Sequence, residues 1–317
     1  MKRIFITGGT GFLGKRLARV LKSEGCEVLL GGRNQKLASS AELFSGCASA
    51  PIDVANIDSV RDAFGAFQPD IVIHAAATKY VDKAELYPHE AIDINVTGSQ
   101  NVTRVALEQQ IELVIGISTD KAAPPVRNTY GLTKALMERL FCSLDRQGRT
   151  RFLCVRYGNV AWSTGSVLGI WKQMLERSGV IETTGPQMTR FFFTIDDAVE
   201  LVMTALRHAD KLHGKVLARE MKSAKLEDIL KLWTSTVGGK YKTIGGRPGE
   251  RSLEYLFGDL ELPYVTEALF GDIAHFVIDF NTKSINPVKN PLSSESATRL
   301  TESEILELIN NPPEEER

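Results

Sequence analysis

Along the first half of the chain, short apolar runs alternate with stretches whose apolar residues recur at helical spacing. Ile4-Phe5-Ile6, Glu27 to Leu30, the run ending at Ile52-Asp53-Val54, Asp70 to Ile73, Leu113 to Ile117 and Arg151 to Val155 read as strands. A strand covered by helices on both faces needs no polar alternation, and these runs show little. Between them lie helical patterns: Leu13, Leu17, Val20 and Leu21 on one face, Leu37 to Phe44, Ser59 to Phe67, and a long stretch from Ala84 to Gln110 that carries Asn95. Strand and helix in regular alternation predict a parallel α/β sheet. Beyond residue 160 the pattern turns mainly helical, with Val167 to Leu175, Ile195 to Leu206, a face of Leu226, Ile229, Leu230 and Trp233, and a last amphipathic helix from Thr301 to Ile309. Thr194 and Asp197 have the spacing of a capping box for the helix at Ile195. The aromatic run Phe191-Phe192-Phe193 reads as core rather than as a surface for stacking bases.

The first strand-to-helix junction is Thr7-Gly8-Gly9-Thr10-Gly11-Phe12-Leu13-Gly14. Gly8 and Gly11 let the backbone turn and approach a pyrophosphate, Gly14 allows close helix packing, and the helix N-terminus offers amides to phosphate oxygens. So many glycines would weaken a helix start that held no ligand. The turn predicts a dinucleotide site and, with it, a Rossmann-type doubly wound parallel sheet over residues 1–160, to which later segments return. Residues 161–317 then supply mainly a smaller C-terminal substrate-binding lobe. The second strand ends in Gly31-Gly32-Arg33-Asn34, without the acid that meets the ribose hydroxyls of NAD. Arg33 facing a 2′-phosphate makes NADP the expected cofactor, ahead of NAD. Asp53 and Val54 are placed beside the adenine, Ala75, Ala76 and Ala77 leave it room, and Asn95 bridges backbone groups inside the sheet. Thr10, Phe12 and Leu13 join the cofactor set from the glycine turn, and Tyr130 and Lys134 complete it. His74 is expected to pack against the sheet.

Composition removes several classes. With 38 Lys and Arg against 39 Asp and Glu, the formal net charge of −1 gives no electrostatic reason to expect nucleic acid. Cys26, Cys47, Cys142 and Cys154 lie far apart without C-x-x-C spacing, so neither a metal site nor a disulfide framework is expected, and reduced thiols suit a cytoplasmic location. No apolar run approaches the roughly eighteen residues of a membrane span, so no membrane insertion is expected. The chain of 317 residues, 43% hydrophobic, has material for one large α/β domain with an elaborated lobe.

Candidate chemistry concentrates between Ser118 and Lys134. Tyr130 and Lys134 stand one helical turn apart, where the ammonium can lower the phenol's pKa and hold a ribose. Thr119, Asp120 and Lys121 follow the strand at Leu113 to Ile117, at the carboxyl end where open α/β sheets bind ligands. Alcohol oxidation needs only the tyrosine, its lysine and the Thr119 hydroxyl. Asp120 and Lys121 add an acid and a second base, which points to elimination as well. Lys121 would act as a neutral amine, its pKa lowered by burial and by Lys134, while Asp120 protonates a leaving hydroxyl. Candidate substrate-binding residues are Lys79, Asn159, Ser166, Arg190 and Arg251, the arginines because guanidinium meets phosphate oxygens in two-point contacts.

Thr7 to Gly14, His74 to Ala77, Asn95, and Tyr130 with Lys134 together resemble the extended short-chain dehydrogenase/reductase superfamily over most of the chain. Within it, Ser118 to Ala123, Val155 to Val160, Met188 to Phe191 and Pro248-Gly249-Glu250 are similar to the bacterial inverting UDP-N-acetylglucosamine 4,6-dehydratases. The resemblance implies an NADP-dependent lyase of polysaccharide biosynthesis and a homo-oligomer. Its substrate would be a UDP-hexosamine, and its product a 4-keto-6-deoxy sugar inverted at carbon 5. The segment from Lys121 to Tyr130 is one residue longer than is usual there, and Thr164 stands where a basic residue is usual. Two other readings use the same residues. A sugar-nucleotide 4-epimerase or ketoreductase would give Asp120 and Lys121 no task, and an NADP-sensing protein would bind without turnover.

Overall fold

The computed structural model describes residues 1–145 and 147–313. Its main sheet has nine strands in the order Val265–Phe270, Ile273–Ile278, Val216–Arg219, Arg151–Arg156, Leu113–Ile117, Ile71–His74, Arg3–Thr7, Glu27–Gly32 and Ala48–Pro51. From Val216–Arg219 to Ala48–Pro51 every neighbouring pair is parallel. Chain order reverses between Arg3–Thr7 and Ile71–His74, and at such a switch point the connections leave to opposite faces and open a crevice at the carboxyl ends.

The other edge is an antiparallel hairpin, Val265–Phe270 with Ile273–Ile278, closed by Gly271-Asp272. Neither it nor Val216–Arg219 is among the strands expected from the sequence pattern. A Gly-Asp turn between two partly alternating runs was the available signal, and Gly271 takes the left-handed backbone (φ 62°) that such turns demand.

The stretch Ala84 to Gln110 is not one helix. Helices Val81–Leu86 and Pro88–Ile92 meet at Tyr87, which cannot continue a helix into proline, and a π-helical turn, Asp93–Thr97, separates them from Gly98–Glu108. The wider turn aims Asn95 inward. Its amide accepts from the Thr78 backbone N–H and donates to the Thr78 carbonyl and to the Thr133 hydroxyl, all within 3.0 Å.

Two apolar cores lie on either side of the strand Thr189–Phe193. Phe191 and Phe193 point into the core of the large sheet, with Phe5, Phe64, Phe141 and Phe152. Phe192 points into a second core with Trp162, Trp171, Leu230, Trp233 and Ile305, as the two-residue period of a strand requires. Each buried aromatic contributes on the order of 2–3 kcal/mol by leaving water. The capping box of Thr194 and Asp197 is present, and Thr301 with Glu304 makes another for the helix Glu302–Asn310. All four cysteines are free. Among the described residues no acid, His or Cys cluster could hold a metal, and no helix is long and apolar enough to cross a membrane.

Candidate active site

A cleft of about 630 Å³ lies over the carboxyl ends of the parallel strands. At one end the strand Arg3–Thr7 passes into the helix Phe12–Ser23 through the glycine turn. Gly8 has φ +67°, and a Cβ there would lie 2.7 Å from the Ala76 nitrogen; one on Gly14 would lie 2.5 Å from the Gly9 Cα. The glycines thus bring the helix, the turn and the Ala75–Ala77 segment together. Gly11 caps the helix without a side-chain hydrogen bond, so its first-turn amides stay available to an anion. This cradle suits a dinucleotide pyrophosphate. Gly8, Thr10, Gly11, Phe12, Leu13, Gly14, Arg33, Val54 and Ala75 to Ala77 all line it. Asp53 does not; it is half-exposed behind Arg33, with 4.0 Å between guanidinium and carboxylate. Asn95 lies beneath the cleft.

The other end carries the candidate reactive groups. Thr119 ends the strand Leu113–Ile117 and caps a single turn, Asp120–Ala122, that turns Asp120 under the floor and Lys121 into the cleft. Asp120 is fully buried, and its Oδ1 accepts from the Thr119 hydroxyl (2.9 Å) and from Lys121 Nζ (3.0 Å). Lys121 also donates to Asn159 Oδ1 at 3.3 Å and lies 3.7 Å from Glu254 Oε1. Burial is the largest influence on Lys121 and pulls its pKa down, but Asp120 and Glu254 outweigh it and the net shift is upward. The neutral resting amine expected from the sequence is therefore corrected to an ammonium, because two carboxylates flank it where the sequence revealed one.

Tyr130 and Lys134 both reach the cleft from the helix Thr129–Leu144. Burial raises the phenol to about 12, although Lys121 and a hydrogen bond with Thr119 act to lower it. The cation that eases phenol ionisation is thus Lys121 rather than Lys134, which donates to the Ile117 carbonyl (2.7 Å) and which burial lowers to about 8. Tyr157, not a sequence candidate, lines the cleft beside Tyr130.

Lys79, Asn159 and Ser166 line the cleft, as does Thr164. Ser166 precedes the helix Val167–Ser178, and its hydroxyl has no hydrogen-bond partner. Arg190 and Arg251 do not line the cleft. Arg190 donates to the carbonyls of Thr189, Arg251 and Ser252, and Arg251 lies 3.4 Å from Glu254 Oε2. Other buried polar atoms without a hydrogen-bond partner gather nearby: Ser118 Oγ, Asp120 Oδ2, and Arg251 Nη1 and Glu254 Oε2, which meet each other only as an ion pair. Such atoms are rare in folded proteins and collect where a ligand or a proton transfer uses them.

His74 stays structural. Its Nδ1 pairs with the Thr7 hydroxyl (2.8 Å) and its Nε2 with Ser99 Oγ (3.1 Å), whose own proton goes to the Asn95 carbonyl. Burial, reinforced by Lys134, lowers its pKa to about 3. The unfolded imidazole titrates near 6.5, so the unfolded chain binds the extra proton between these values. Stability is complete above about pH 6.5 and falls toward pH 3, by as much as roughly 5 kcal/mol from this group. His74→Asn, which cannot titrate, should flatten the pH dependence of the urea-unfolding free energy over the upper part of that range; an unchanged slope would clear His74 of the effect.

Residues 4–269 match the family model described as polysaccharide biosynthesis protein. The chain belongs to this family. It is 36% identical over 268 residues to a protein of Rickettsia akari named UDP-glucose 4-epimerase, across 80% of this chain and 77% of that one. Among solved structures, Pen from Bacillus thuringiensis superposes with a TM-score of 0.90 at 28% identity over 98% of both chains. The UDP-glucose 4-epimerase of Thermus thermophilus, solved with NAD, shares the fold at a TM-score of 0.68 and 18% identity, over 79% of this chain and 88% of that one. This family member is an extended short-chain dehydrogenase/reductase of the polysaccharide-biosynthesis type with a Rossmann-like sheet.

Proposed function

We propose that this protein is an NADP-dependent nucleotide-sugar 4,6-dehydratase that acts on a UDP-hexosamine, with UDP-N-acetylglucosamine the favoured substrate. One observation carries the reading: Tyr130, Thr119 and Lys134, which suffice for alcohol oxidation, share a cleft with Lys121, whose ammonium is hydrogen-bonded to Asp120. Epimerisation has no use for the second pair.

Gly8, Gly11 and the first turn of the helix Phe12–Ser23 would hold the cofactor's pyrophosphate, and Arg33 its 2′-phosphate. When bound, the cofactor would supply its oxidised nicotinamide ring, a reversible two-electron hydride acceptor with a local positive charge. Tyr130 first gives its own proton to solvent, an ionisation that the Lys121 ammonium eases, and as phenolate takes the proton of the carbon 4 hydroxyl, while Thr119 holds that oxygen. The resulting ketone acidifies the hydrogen on carbon 5. Lys121 removes it, for which it must first become an amine. One proton moving along the 3.0 Å hydrogen bond from Lys121 to Asp120 makes a neutral amine and a carboxylic acid together. Lys121 takes the carbon 5 proton, and the acid's proton reaches the departing carbon 6 hydroxyl through Thr119, which lines the cleft: its resting bond to Asp120 reverses once Asp120 is protonated, so Thr119 accepts that proton and passes its own to the leaving oxygen. The pair ends as the ion pair it began. With carbon 4 oxidised and carbon 6 reduced the sequence is redox-neutral, and reprotonation of carbon 5 by a solvent proton on the opposite face gives the inverted 4-keto-6-deoxy sugar. Ser166, at the start of the helix Val167–Ser178, suits the substrate's diphosphate.

Incubation with UDP-N-acetylglucosamine and NADP+ in deuterated water tests the reading by mass and proton NMR. A product lighter by one water, with deuterium at carbon 5, is expected. A product of unchanged mass would establish 4-epimerisation, the reading favoured by the names of the relatives, and an unaltered substrate would overturn both. For the cofactor, Arg33→Ala should weaken NADP binding about tenfold, the value of one charge-assisted contact, and leave NAD binding as it was. An unchanged NADP-to-NAD ratio removes the reason for preferring NADP.

A further inference from the structure

Glu254 has no part in this scheme, yet it sits at its centre. It lies ahead of the short strand Tyr255–Phe257 and is 2% exposed. Its backbone is pinned on both sides by Ser294, whose hydroxyl accepts from the Glu254 N–H (3.0 Å) and whose own N–H donates to the Glu254 carbonyl (2.7 Å). From that anchor one carboxylate oxygen reaches within 3.7 Å of Lys121 Nζ and the other within 3.4 Å of Arg251 Nη1. Lys121 is therefore held from three directions, by Asp120, Asn159 and Glu254.

The charge balance around this point explains why a second carboxylate is needed. The groups that act on Lys121 and Glu254 are Asp120, Arg190 and Arg251, and Tyr130 stands in the cleft beside them. Without Glu254, three cations would share one carboxylate, and Lys121, the only one of the three able to give up a proton, would release it to solvent at lower pH. The pair would then hold an amine and an ionised Asp120, a base with no acid. Elimination needs both, and both come from one retained proton.

We propose that Glu254 is a positioning residue for the elimination: it orients the Lys121 ammonium toward Asp120 and keeps on that pair the single proton it must carry to act as base and acid together. The inference rests on the dehydratase reading. In keeping with it, Glu254 is itself pushed up by burial first, with Lys121, Arg190 and Arg251 opposing, and Lys121 is raised in its company.

The test compares wild type with Glu254→Gln, which keeps the shape and loses the charge. The pair loses its proton on the alkaline side of the kcat profile for UDP-N-acetylglucosamine dehydration, so that limb should move to lower pH by roughly one to two units, the usual effect of an opposite charge at this range. Glu254→Asp, which keeps the charge, should recover part of the shift. Independently of turnover, the Cε signal of Lys121 in protein labelled with 13C-lysine and loaded with NADP+, assigned by its loss in Lys121→Met, should titrate lower in Glu254→Gln. In the wild type alone it should titrate above the ordinary lysine value of about 10.4. A Lys121 signal that titrates below that value in wild type, or at the same pH with and without the Glu254 charge, overturns the inference. Failure of the dehydratase reading is seen separately, in the wild-type product mass.

Discussion

Lys121→Met is expected to stop water loss from the substrate while leaving the cofactor bound. Methionine keeps the length of the side chain and has no proton to exchange, and loss of one general acid or base typically costs about 10²–10⁴ in rate. The upper end of that range is expected here, because the same change removes the donor that shares a proton with Asp120. Base and acid are lost together. Tyr130, Thr119 and Lys134 remain, but the phenol loses the cation that eases its ionisation, so oxidation at carbon 4 should proceed more slowly than in wild type while elimination stops. Reduced nicotinamide should then build up in the variant, where the wild type returns it to the oxidised form in every turnover. The measurements are product mass, nicotinamide absorbance and cofactor affinity by calorimetry. Wild-type turnover in Lys121→Met would remove Lys121 from the mechanism, and a variant that loses activity without accumulating reduced cofactor would place it in the oxidation instead.

Arg156→Met should cause the largest loss of stability. The guanidinium is fully buried, and every one of its five N–H groups is used. Nε and Nη2 bond the Glu138 carboxylate (2.9 and 2.5 Å), Nη1 and Nη2 bond Glu261 (2.9 and 2.8 Å), and Nη1 also donates to the Leu256 carbonyl (2.9 Å). Burial opposes the charge most strongly, but the two carboxylates outweigh it and hold the arginine cationic. Breaking a buried ion pair from one side costs about 3–5 kcal/mol, since the abandoned charges stay in the interior. For a chain of this size that is a fall in melting temperature of roughly 5–8 °C. Glu138 lies on the helix of Tyr130 and Lys134, and Glu261 lies beyond Glu254, so activity should fall as well. Arg156→Lys should recover little, because one ammonium cannot bond two carboxylates in pairs. A triple change of Arg156→Met, Glu138→Gln and Glu261→Gln should recover more than Arg156→Lys does. If Arg156→Met melted within a degree or two of wild type, the network would be decoration on a core that holds without it.

Much of the site was legible in the sequence because its parts are local. The glycine turn, the Thr119-Asp120-Lys121 run and the Tyr130–Lys134 pair each act through neighbours a few residues away, and strand or helix periodicity alone says which way they point. All of them except Thr7, Gly9 and Asp120 line the same cleft, and Asp120 lies directly under its floor. The hairpin Val265–Phe270 with Ile273–Ile278 was missed for a different reason. It carries apolar residues on both faces and polar ones among them, so its pattern was neither a clean alternation nor a continuous run.

What the sequence by itself determined is the alternation of strands and helices over residues 1–160, the dinucleotide turn and the candidate reacting groups, since these follow from periodicity and from chemistry carried within single turns of chain. Only the tertiary structure decided the protonation of those groups. Glu254 is more than 130 residues from Lys121 along the chain, yet 3.7 Å from it in space, and its charge adds to that of Asp120, the pair together reversing the direction in which burial moves the lysine. The same holds for Arg190 and Arg251, which read as phosphate ligands from their type and lie instead behind the cleft wall, bonded to backbone carbonyls and facing a carboxylate. Electrostatic interactions depend on distance and burial, and neither is written in the order of residues.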